Sequence, residues 1–132
     1  MKRIFIGFTL LFMFAGLASA QKKEAVITVI DSATFDFGNV KEADGPVTHA
    51  FKIKNTGELP LVITNVNTTC GCTSATKTNE PIAPGKQGEV KATYDVNGRP
   101  GPFTRNLTVV SNGKQGTLVL TIKGNVIAKA PQ

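Results

Sequence analysis

The sequence predicts an all-β protein, folded as an antiparallel sandwich of about seven or eight short strands. Three observations support this fold class. Short segments rich in β-branched and aromatic residues alternate between apolar and polar side chains, which is typical of half-buried strands. Turn-forming residues separate these segments at intervals of about 8 to 12 residues. No segment after residue 20 shows the helical period of apolar side chains.

The first 20 residues have the pattern of a secretory signal peptide. Lys2 and Arg3 precede an apolar run over residues 4–14, and residues 18–20 form the small-residue pattern Ala-Ser-Ala. The apolar run is shorter than the roughly 20 residues that a membrane-spanning helix needs. We therefore expect cleavage after Ala20, export to the periplasm or the extracellular space, and no stable membrane anchor after cleavage.

The rest of the chain has the size of one domain. We expect residues 21–28 to form an N-terminal extension or a first edge strand, residues 29–126 to form the sandwich, and residues 127–132 to form a C-terminal tail. The sequence has 15 Lys and Arg against 9 Asp and Glu. These basic residues are scattered, whereas a nucleic-acid binder needs a basic stripe with aromatic platforms. The composition therefore argues against a nucleic-acid partner.

The first predicted strands lie at the N-terminal end of the domain. Residues 25–30 read Ala-Val-Ile-Thr-Val-Ile, a short β-branched segment of the kind that is enriched in strands. In residues 35–40, Phe35 and Phe37 are two positions apart and so share one face of an extended chain. The sequence Asp-Gly-Pro at residues 44–46 then predicts a turn.

Residues 47–55 have the clearest alternation in the sequence. Apolar side chains at positions 47, 51 and 53 fall on one face, and polar side chains at positions 48, 52 and 54 fall on the other. This pattern predicts a strand with one packed face and one solvated face. His49 falls in the inward register, where a single histidine is more often a core or rim residue than a ligand.

The later strands follow from the same alternation. Leu61, Ile63 and Val66 depart from period two, which predicts a bulge or a change of face just before the cysteines. Three further strands are predicted around apolar positions, which are Val90, Ala92 and Tyr94, then Phe103, Leu107 and Val109, and then Leu118, Leu120 and Ile122.

Five short motifs occur in order along the domain, namely Phe-Asp-Phe-Gly at 35–38, Lys-Asn-Thr-Gly at 54–57, Cys-Gly-Cys-Thr at 70–73, Ile-Ala-Pro-Gly at 82–85 and Val-Val-Ser-Asn at 109–112. Together they resemble an exported bacterial domain family of unknown function, over residues 29–126. The resemblance implies an immunoglobulin-like β-sandwich of the Hydin and major-sperm-protein type. Sandwiches of this type mostly bind other proteins, which implies a protein or a cell-envelope component as partner.

Cys70 and Cys72 are the only cysteines in the sequence. In a fully extended chain, Cα atoms two residues apart lie about 6.6 to 7 Å from each other, at or beyond the limit for a disulfide. A bridge needs a bend at Gly71, which glycine allows because it adopts unusual dihedral angles without steric cost. Four interpretations remain open: a disulfide or buried structural pair, which the sequence favours, a Cu(I) thiolate site, a thiol-exchange pair, and a link to another chain.

A metal site lacks the expected additional ligands. A closed zinc site needs about four ligands, and the sequence offers the two thiols and the distant His49. Copper(I) accepts two thiolates, but Met1 and Met13, the only methionines in the sequence, leave with the predicted signal peptide. Cu(I) binding at Cys70 and Cys72 is therefore a minor alternative, and no cofactor is expected.

A thiol-exchange pair normally has a basic neighbour or a helix N-terminus that stabilises the attacking thiolate. Thr68, Thr69 and Thr73, which flank the cysteines, offer neither. Lys77 is a candidate by charge, but its position in the sequence does not place it beside a sulfur.

No group of residues in the sequence predicts an enzyme. The single histidine has no serine and carboxylate partners in a recognisable triad, and the glycines fall at turns rather than in a phosphate-binding loop. We therefore expect an exported, non-catalytic module that binds a protein or a cell-envelope component. The alternative is a thiol-redox or Cu(I)-handling protein that acts through Cys70 and Cys72.

Overall fold

Eight β-strands and one short 3-10 helix make up the regular structure of residues 23–130, the part of the chain that this computed structural model describes. The predicted signal peptide, residues 1–20, and the last two residues of the predicted tail lie outside the described residues. The elements in chain order are β1 (Ile27–Val29), β2 (Thr34–Lys41), the 3-10 helix (Glu42–Asp44), β3 (Val47–Asn55), β4 (Ile63–Thr68), β5 (Thr73–Lys77), β6 (Gln87–Tyr94), β7 (Gly101–Ser111) and β8 (Thr117–Ile127).

The strands form two four-stranded sheets with the hydrophobic core between them. The strand order is β1-β3-β6-β5 in the first sheet and β2-β8-β7-β4 in the second. This arrangement confirms the predicted all-β sandwich. One neighbouring pair is parallel rather than antiparallel: the chain changes sheets after β1, and β2 then runs alongside β8 in the same direction. The pairing covers the outer edge of the last strand.

The core follows the predicted alternation most closely in β3. This strand spans Val47–Asn55, as predicted, and pairs with β1 on one side and β6 on the other. Its inward residues Phe51 and Ile53 are buried, and full burial of such a side chain contributes roughly 1.5 to 3 kcal/mol. The other buried apolar residues of the core are Ala25, Ile27, Leu61, Ile63, Cys72, Ile82, Val90, Ala92, Tyr94, Val96, Phe103, Leu107, Val109, Leu120, Ile122 and Val126.

The strands on either side of the cysteines differ in how well the sequence predicts them. The predicted irregularity before the cysteines is confirmed as a register shift between Ile63 and Asn65, where β4 pairs with β7. The sequence does not predict β5, because its residues Thr-Ser-Ala-Thr-Lys show no apolar alternation. β5 lies at the edge of its sheet, and Thr73 is its one buried residue, so it has no need of large apolar side chains.

The predicted turn at residues 44–46 coincides with the end of the 3-10 helix. Gly45 follows the helix with a φ of 80°, a conformation that glycine adopts without steric cost. Within residues 23–130, no helix has the length and apolar composition required to cross a bilayer.

Candidate functional site

Cys70 and Cys72 lie in the turn that carries the chain from the second sheet to the first. β4 ends at Thr68, and β5 begins at Thr73. The backbone N–H of Thr73 donates to the carbonyl of Cys70 at 3.3 Å, and the N–H of Asp95 donates to the carbonyl of Cys72 at 2.8 Å. Backbone hydrogen bonds therefore hold both ends of the Cys-Gly-Cys motif.

The two cysteines form a disulfide. Their Cα atoms are 5.3 Å apart, within the usual range for a disulfide and closer than in an extended chain. Gly71 is not among the glycines with a positive φ, and a Cβ atom built on it would meet no atom within 4 Å. The chain is bent at Gly71, as the bridge requires, but the bend does not use the positive φ that glycine allows. Neither the backbone nor the packing of the described residues requires glycine at this position.

The two ends of the disulfide differ in exposure. Cys72 retains 7% of its accessible surface and belongs to the core, whereas Cys70 is half-buried and packs against the margin of the core. Thr69, before Cys70, is exposed. An external molecule therefore reaches the disulfide from the Cys70 side.

Arg105 contacts the buried sulfur, although it lies outside every motif named above. Its Nε lies 3.3 Å from Cys72 Sγ in hydrogen-bonding geometry. On β7 it stands between Phe103 and Leu107, which are both buried. Period two places the three residues on the same inward face. A charged side chain in an inward register is the sequence signal that identifies Arg105.

Aromatic packing holds the Arg105 side chain in place. The guanidinium carbon lies 5.7 Å from the centroid of the Tyr94 ring, and that ring stacks on Phe103 with 3.9 Å between centroids. Nη1 also donates to the carbonyl of Thr104 at 2.8 Å. Within residues 23–130, no carboxylate forms an ion pair with Arg105. The guanidinium charge is therefore available to the sulfur.

Thr73 provides a second polar contact to the disulfide. It is 4% exposed, and its Oγ1 lies 3.8 Å from Cys72 Sγ and 3.9 Å from Cys70 Sγ. The hydroxyl must be the donor, because a disulfide sulfur carries no hydrogen. Lys77, the candidate by charge, donates its ammonium to a neighbouring asparagine side chain, and the Thr68 hydroxyl donates to the Cys70 carbonyl.

His49 packs in an aromatic cluster on β3. Its ring stacks on Phe35 with centroids 3.6 Å apart and meets Phe51 edge-on at 4.7 Å. Burial lowers the pKa of His49, against the opposing effect of the Asp31 charge. Within residues 23–130, no group of three or more His, Cys, Asp or Glu side chains is arranged to hold a metal ion. The two sulfurs become available to Cu(I) only after the disulfide is reduced.

A second candidate surface is the open edge formed by β5. Of the four edge strands, β1 has three residues, and β2 and β4 each contain a register shift. In β4 the Asn65 side chain also accepts a hydrogen bond from the N–H of Val66 at 2.9 Å. β5, in contrast, pairs with β6 without a shift from Thr73 to Lys77. Short or irregular edges resist pairing with other chains, so β5 is the edge best suited to it.

The free side of β5 borders a groove. At the end of the strand, the N–H of Thr78 donates to the carbonyl of Glu89 at 3.0 Å. Because hydrogen bonding alternates along an antiparallel pair, the main-chain groups of Ala75 and Lys77 face away from β6. The groove beside them has a volume of about 270 Å³ and is lined by Asn65, Val66, Ala75, Thr76, Lys77 and Asn79.

Solved structures with a similar fold come from bacteria and from human. A protein of unknown function from Porphyromonas gingivalis W83 matches with a TM-score of 0.65 and 20% identity, over 86% of this chain and 51% of that chain. The ASH/PapD-like domain 7 of human CEP192 matches with a TM-score of 0.64 and 10% identity, over 89% of this chain and 97% of that chain. The secreted serine protease VesC from Vibrio cholerae matches with a TM-score of 0.54 and 17% identity, over 83% of this chain and 24% of that chain.

These matches concern the fold. Likeness to the PapD-like domain confirms the immunoglobulin-like sandwich that the sequence motifs imply. This chain spans about half the length of the Porphyromonas gingivalis protein, so the match covers only part of that protein.

The family comparison agrees with the motifs found in the sequence. No curated protein matches the chain significantly. A family model described as a protein of unknown function, DUF1573, matches residues 28–126, a range that contains the Cys-Gly-Cys turn, Arg105 and β5. The chain therefore belongs to the DUF1573 family of proteins of unknown function.

Proposed function

We propose that this protein is an exported, non-catalytic interaction module that binds an extended segment of another protein along β5. The observation that carries the proposal is the regular, open edge of β5 beside the groove between the sheets. The family has no assigned function, and the structural neighbours share the fold alone. The support therefore comes from this edge rather than from a relative.

Strand addition at β5 uses two kinds of contact. The main-chain groups of Ala75 and Lys77 supply hydrogen bonds, which give affinity for any extended segment, and the groove selects among side chains. Val66 and Ala75 are partly buried against the core and form a small apolar floor. Lys77 adds a positive charge at the end of the strand. These features favour a segment with small apolar side chains and an acidic residue.

Export is supported by the N-terminal pattern and by the disulfide. Disulfides persist in oxidising compartments and are rare in the cytosol. Mass spectrometry of the protein recovered from the producing cells should give the mass of a chain that begins at Gln21 and retains its disulfide. Recovery of a cytosolic protein that still carries residues 1–20 would contradict export.

Photo-crosslinking from the edge tests the binding mode. A photoreactive amino acid in place of Thr76, whose side chain on β5 is exposed, should capture one identifiable protein in intact cells. The variant Ala75→Pro should abolish this capture, because proline removes the outward N–H of residue 75 and its ring obstructs the edge. The hydrogen bonds from neighbouring residues to β6 remain, since proline is tolerated on the open side of an edge strand.

The matched control places the same photoreactive group at Val119. This residue lies on β8, in the other sheet, and is 51% exposed, so it should not capture the partner. Circular dichroism of Ala75→Pro should show that the sandwich is intact. Capture that survives Ala75→Pro, or equal capture from Val119, would contradict binding along β5. Capture of a glycan or a lipid would replace the protein partner with a cell-envelope component.

A further inference from the structure

The contacts around the disulfide point to a thiol–disulfide exchange site. We propose that an external thiol attacks Cys70, and that Cys72 leaves as a thiolate stabilised by Arg105 and Thr73. This activity goes beyond the proposed interaction function and does not depend on it, because the contacts at the sulfurs carry it and the β5 edge does not.

Two hydrogen-bond donors meet at Cys72 Sγ. The Nε of Arg105 lies 3.3 Å away and the hydroxyl of Thr73 lies 3.8 Å away. A disulfide sulfur is neutral and a weak acceptor, whereas hydrogen bonds to an ionised acceptor are roughly twice as strong as those between neutral groups. Both donors therefore gain a better partner when Cys72 becomes a thiolate. The surroundings of Cys72 suit the reduced state better than the disulfide state.

Burial makes the arginine necessary for this chemistry. Cys72 is 7% exposed, and burial disfavours a charged thiolate unless an opposite charge lies close. Arg105 supplies that charge and has no carboxylate ion-pair partner within residues 23–130. Its contact with the Tyr94 ring fixes the guanidinium before the reaction begins. Donors already placed where charge develops need no reorganisation when the sulfur–sulfur bond breaks.

Exposure determines which sulfur is attacked. A thiolate must reach the sulfur that it attacks, and the other sulfur is the leaving group. Cys70 is half-buried and Cys72 is buried. The space beside Gly71 is open, because a Cβ atom there would meet nothing within 4 Å. The external thiol therefore bonds to Cys70, and Cys72 departs.

The exchange balances with two external thiols. The first, as a thiolate, forms a sulfur–sulfur bond with Cys70, and the electron pair of the broken bond stays on Cys72, which accepts hydrogen bonds from Arg105 and Thr73. The second thiolate attacks the sulfur of the first thiol in this mixed disulfide. Cys70 is released and takes a proton from water. The external thiols are oxidised to a disulfide, and the Cys70–Cys72 disulfide is reduced.

Trapping the mixed disulfide tests the order of attack. The oxidised protein is mixed with reduced glutathione and quenched with an alkylating reagent, which blocks the thiol that has been released. Fragmentation in a mass spectrometer should then place glutathione on Cys70 and the alkyl group on Cys72. Glutathione found mainly on Cys72 would overturn the assigned order.

Equilibration in glutathione buffers tests the role of Arg105. Loss of a hydrogen bond to a charged group should make the dithiol form of Arg105→Met about tenfold less favoured relative to the disulfide. Arg105→Lys should fall between this variant and the wild type, because it keeps the charge and loses the planar guanidinium. Lys114→Met, which removes an equal charge from an exposed residue in the loop between β7 and β8, is the matched control and should leave the equilibrium unchanged.

The ultraviolet absorbance of the thiolate separates this role from a structural one. In the reduced protein, the absorbance should develop at higher pH in Arg105→Met and in Thr73→Val than in the wild type. If Arg105 and Thr73 were merely structural, the variants would unfold more easily, but the thiolate absorbance would develop at the same pH as in the wild type. If Arg105→Met does not fold, Arg105→Lys and Thr73→Val carry the same test. An unchanged equilibrium and an unchanged titration in the folded variants would overturn the proposal.

Discussion

The two buried polar side chains of residues 23–130, Asn55 and Thr73, differ in the quality of their hydrogen-bond partners. Asn55 is fully satisfied: its Nδ2 donates to the carbonyls of Leu59 and Ile82 at 2.7 and 2.9 Å, and its Oδ1 accepts from the N–H of Gly57 at 3.0 Å. The hydroxyl of Thr73 instead faces two disulfide sulfurs at 3.8 and 3.9 Å, which are weak acceptors.

This difference separates a structural polar cluster from a reactive one. A buried donor with a good acceptor stabilises the fold and gains nothing from a chemical change nearby. The donors around Cys72 have a poor acceptor now and gain a charged one on reduction. The Asn55 turn should therefore matter for unfolding, and the cysteine turn should matter for exchange.

Loss of the Asn55 side chain should have the largest effect on stability. Asn55→Ala takes away the side-chain partner of the partly buried Leu59 carbonyl and Gly57 N–H and leaves a gap in the core, and we expect the free energy of unfolding in urea to fall by about 3 kcal/mol. The control is Asn112→Ala, because Asn112 bridges the N–H of Val62 and the carbonyl of Pro60 at an exposed position and should cost less than about 1 kcal/mol. If both variants lost the same free energy of unfolding, burial of Asn55 would not explain its contribution to stability.

A methyl group at Gly57 should have the next largest effect. A Cβ atom there would lie 2.6 Å from the backbone nitrogen of Val26 and in still closer contact with the carbonyl of Glu24. The chain before β1 must therefore move, and Gly57→Ala should lower the free energy of unfolding by about 2 kcal/mol. Thermal unfolding followed by circular dichroism measures this, and an unchanged midpoint would mean that the N-terminal segment does not pack against the turn.

Removal of both cysteines should have a smaller effect. The disulfide closes a very short loop, so it restricts the unfolded chain little, and Cys70→Ser combined with Cys72→Ser should cost no more than about 1.5 kcal/mol. Urea unfolding of the double variant and of the oxidised wild type gives the difference. A loss as large as that of Asn55→Ala would show that the turn is mainly structural.

A methyl group at Gly71 should have the smallest effect. Gly71 has neither a positive φ nor an atom within 4 Å of a built Cβ, so Gly71→Ala should change stability by less than about 0.5 kcal/mol. The Gly71→Ala variant should react more slowly with glutathione, because the added methyl group stands beside the Cys70 sulfur that glutathione attacks. Destabilisation comparable to that of Gly57→Ala would contradict the open surroundings of the turn.

The sequence predicts those strands in which apolar side chains recur on the inward face and polar side chains on the outward face. β3 is predicted from its alternation alone, because its inward and outward side chains differ sharply in polarity. β5 is missed, because an edge strand at the rim can be built from small polar residues. Alternation of side chains is the same whichever way a strand runs. It therefore predicts the strand β2 but does not predict that β2 pairs in parallel with β8.

The candidate site is predicted in part for a related reason. The sequence identifies Cys70 and Cys72, and period two places Arg105 on an inward face. It does not show that these residues meet, because Arg105 is 33 positions from Cys72 and lies on a strand that does not adjoin the turn in sequence. The same limit applies to Asn55, which looks like an ordinary turn residue until Ile82, 27 positions away, supplies its carbonyl.

The position of β5 directly after Cys72 links the two proposed activities thermodynamically. A partner that holds β5 in place also restrains the turn that the disulfide closes, because β5 begins at the residue after Cys72. If that partner prefers the oxidised protein by a given factor, its binding makes the disulfide harder to reduce by the same factor, since such coupling is reciprocal. The ratio of thiol to disulfide in the surroundings would then set the affinity for the partner, although the partner never touches a sulfur.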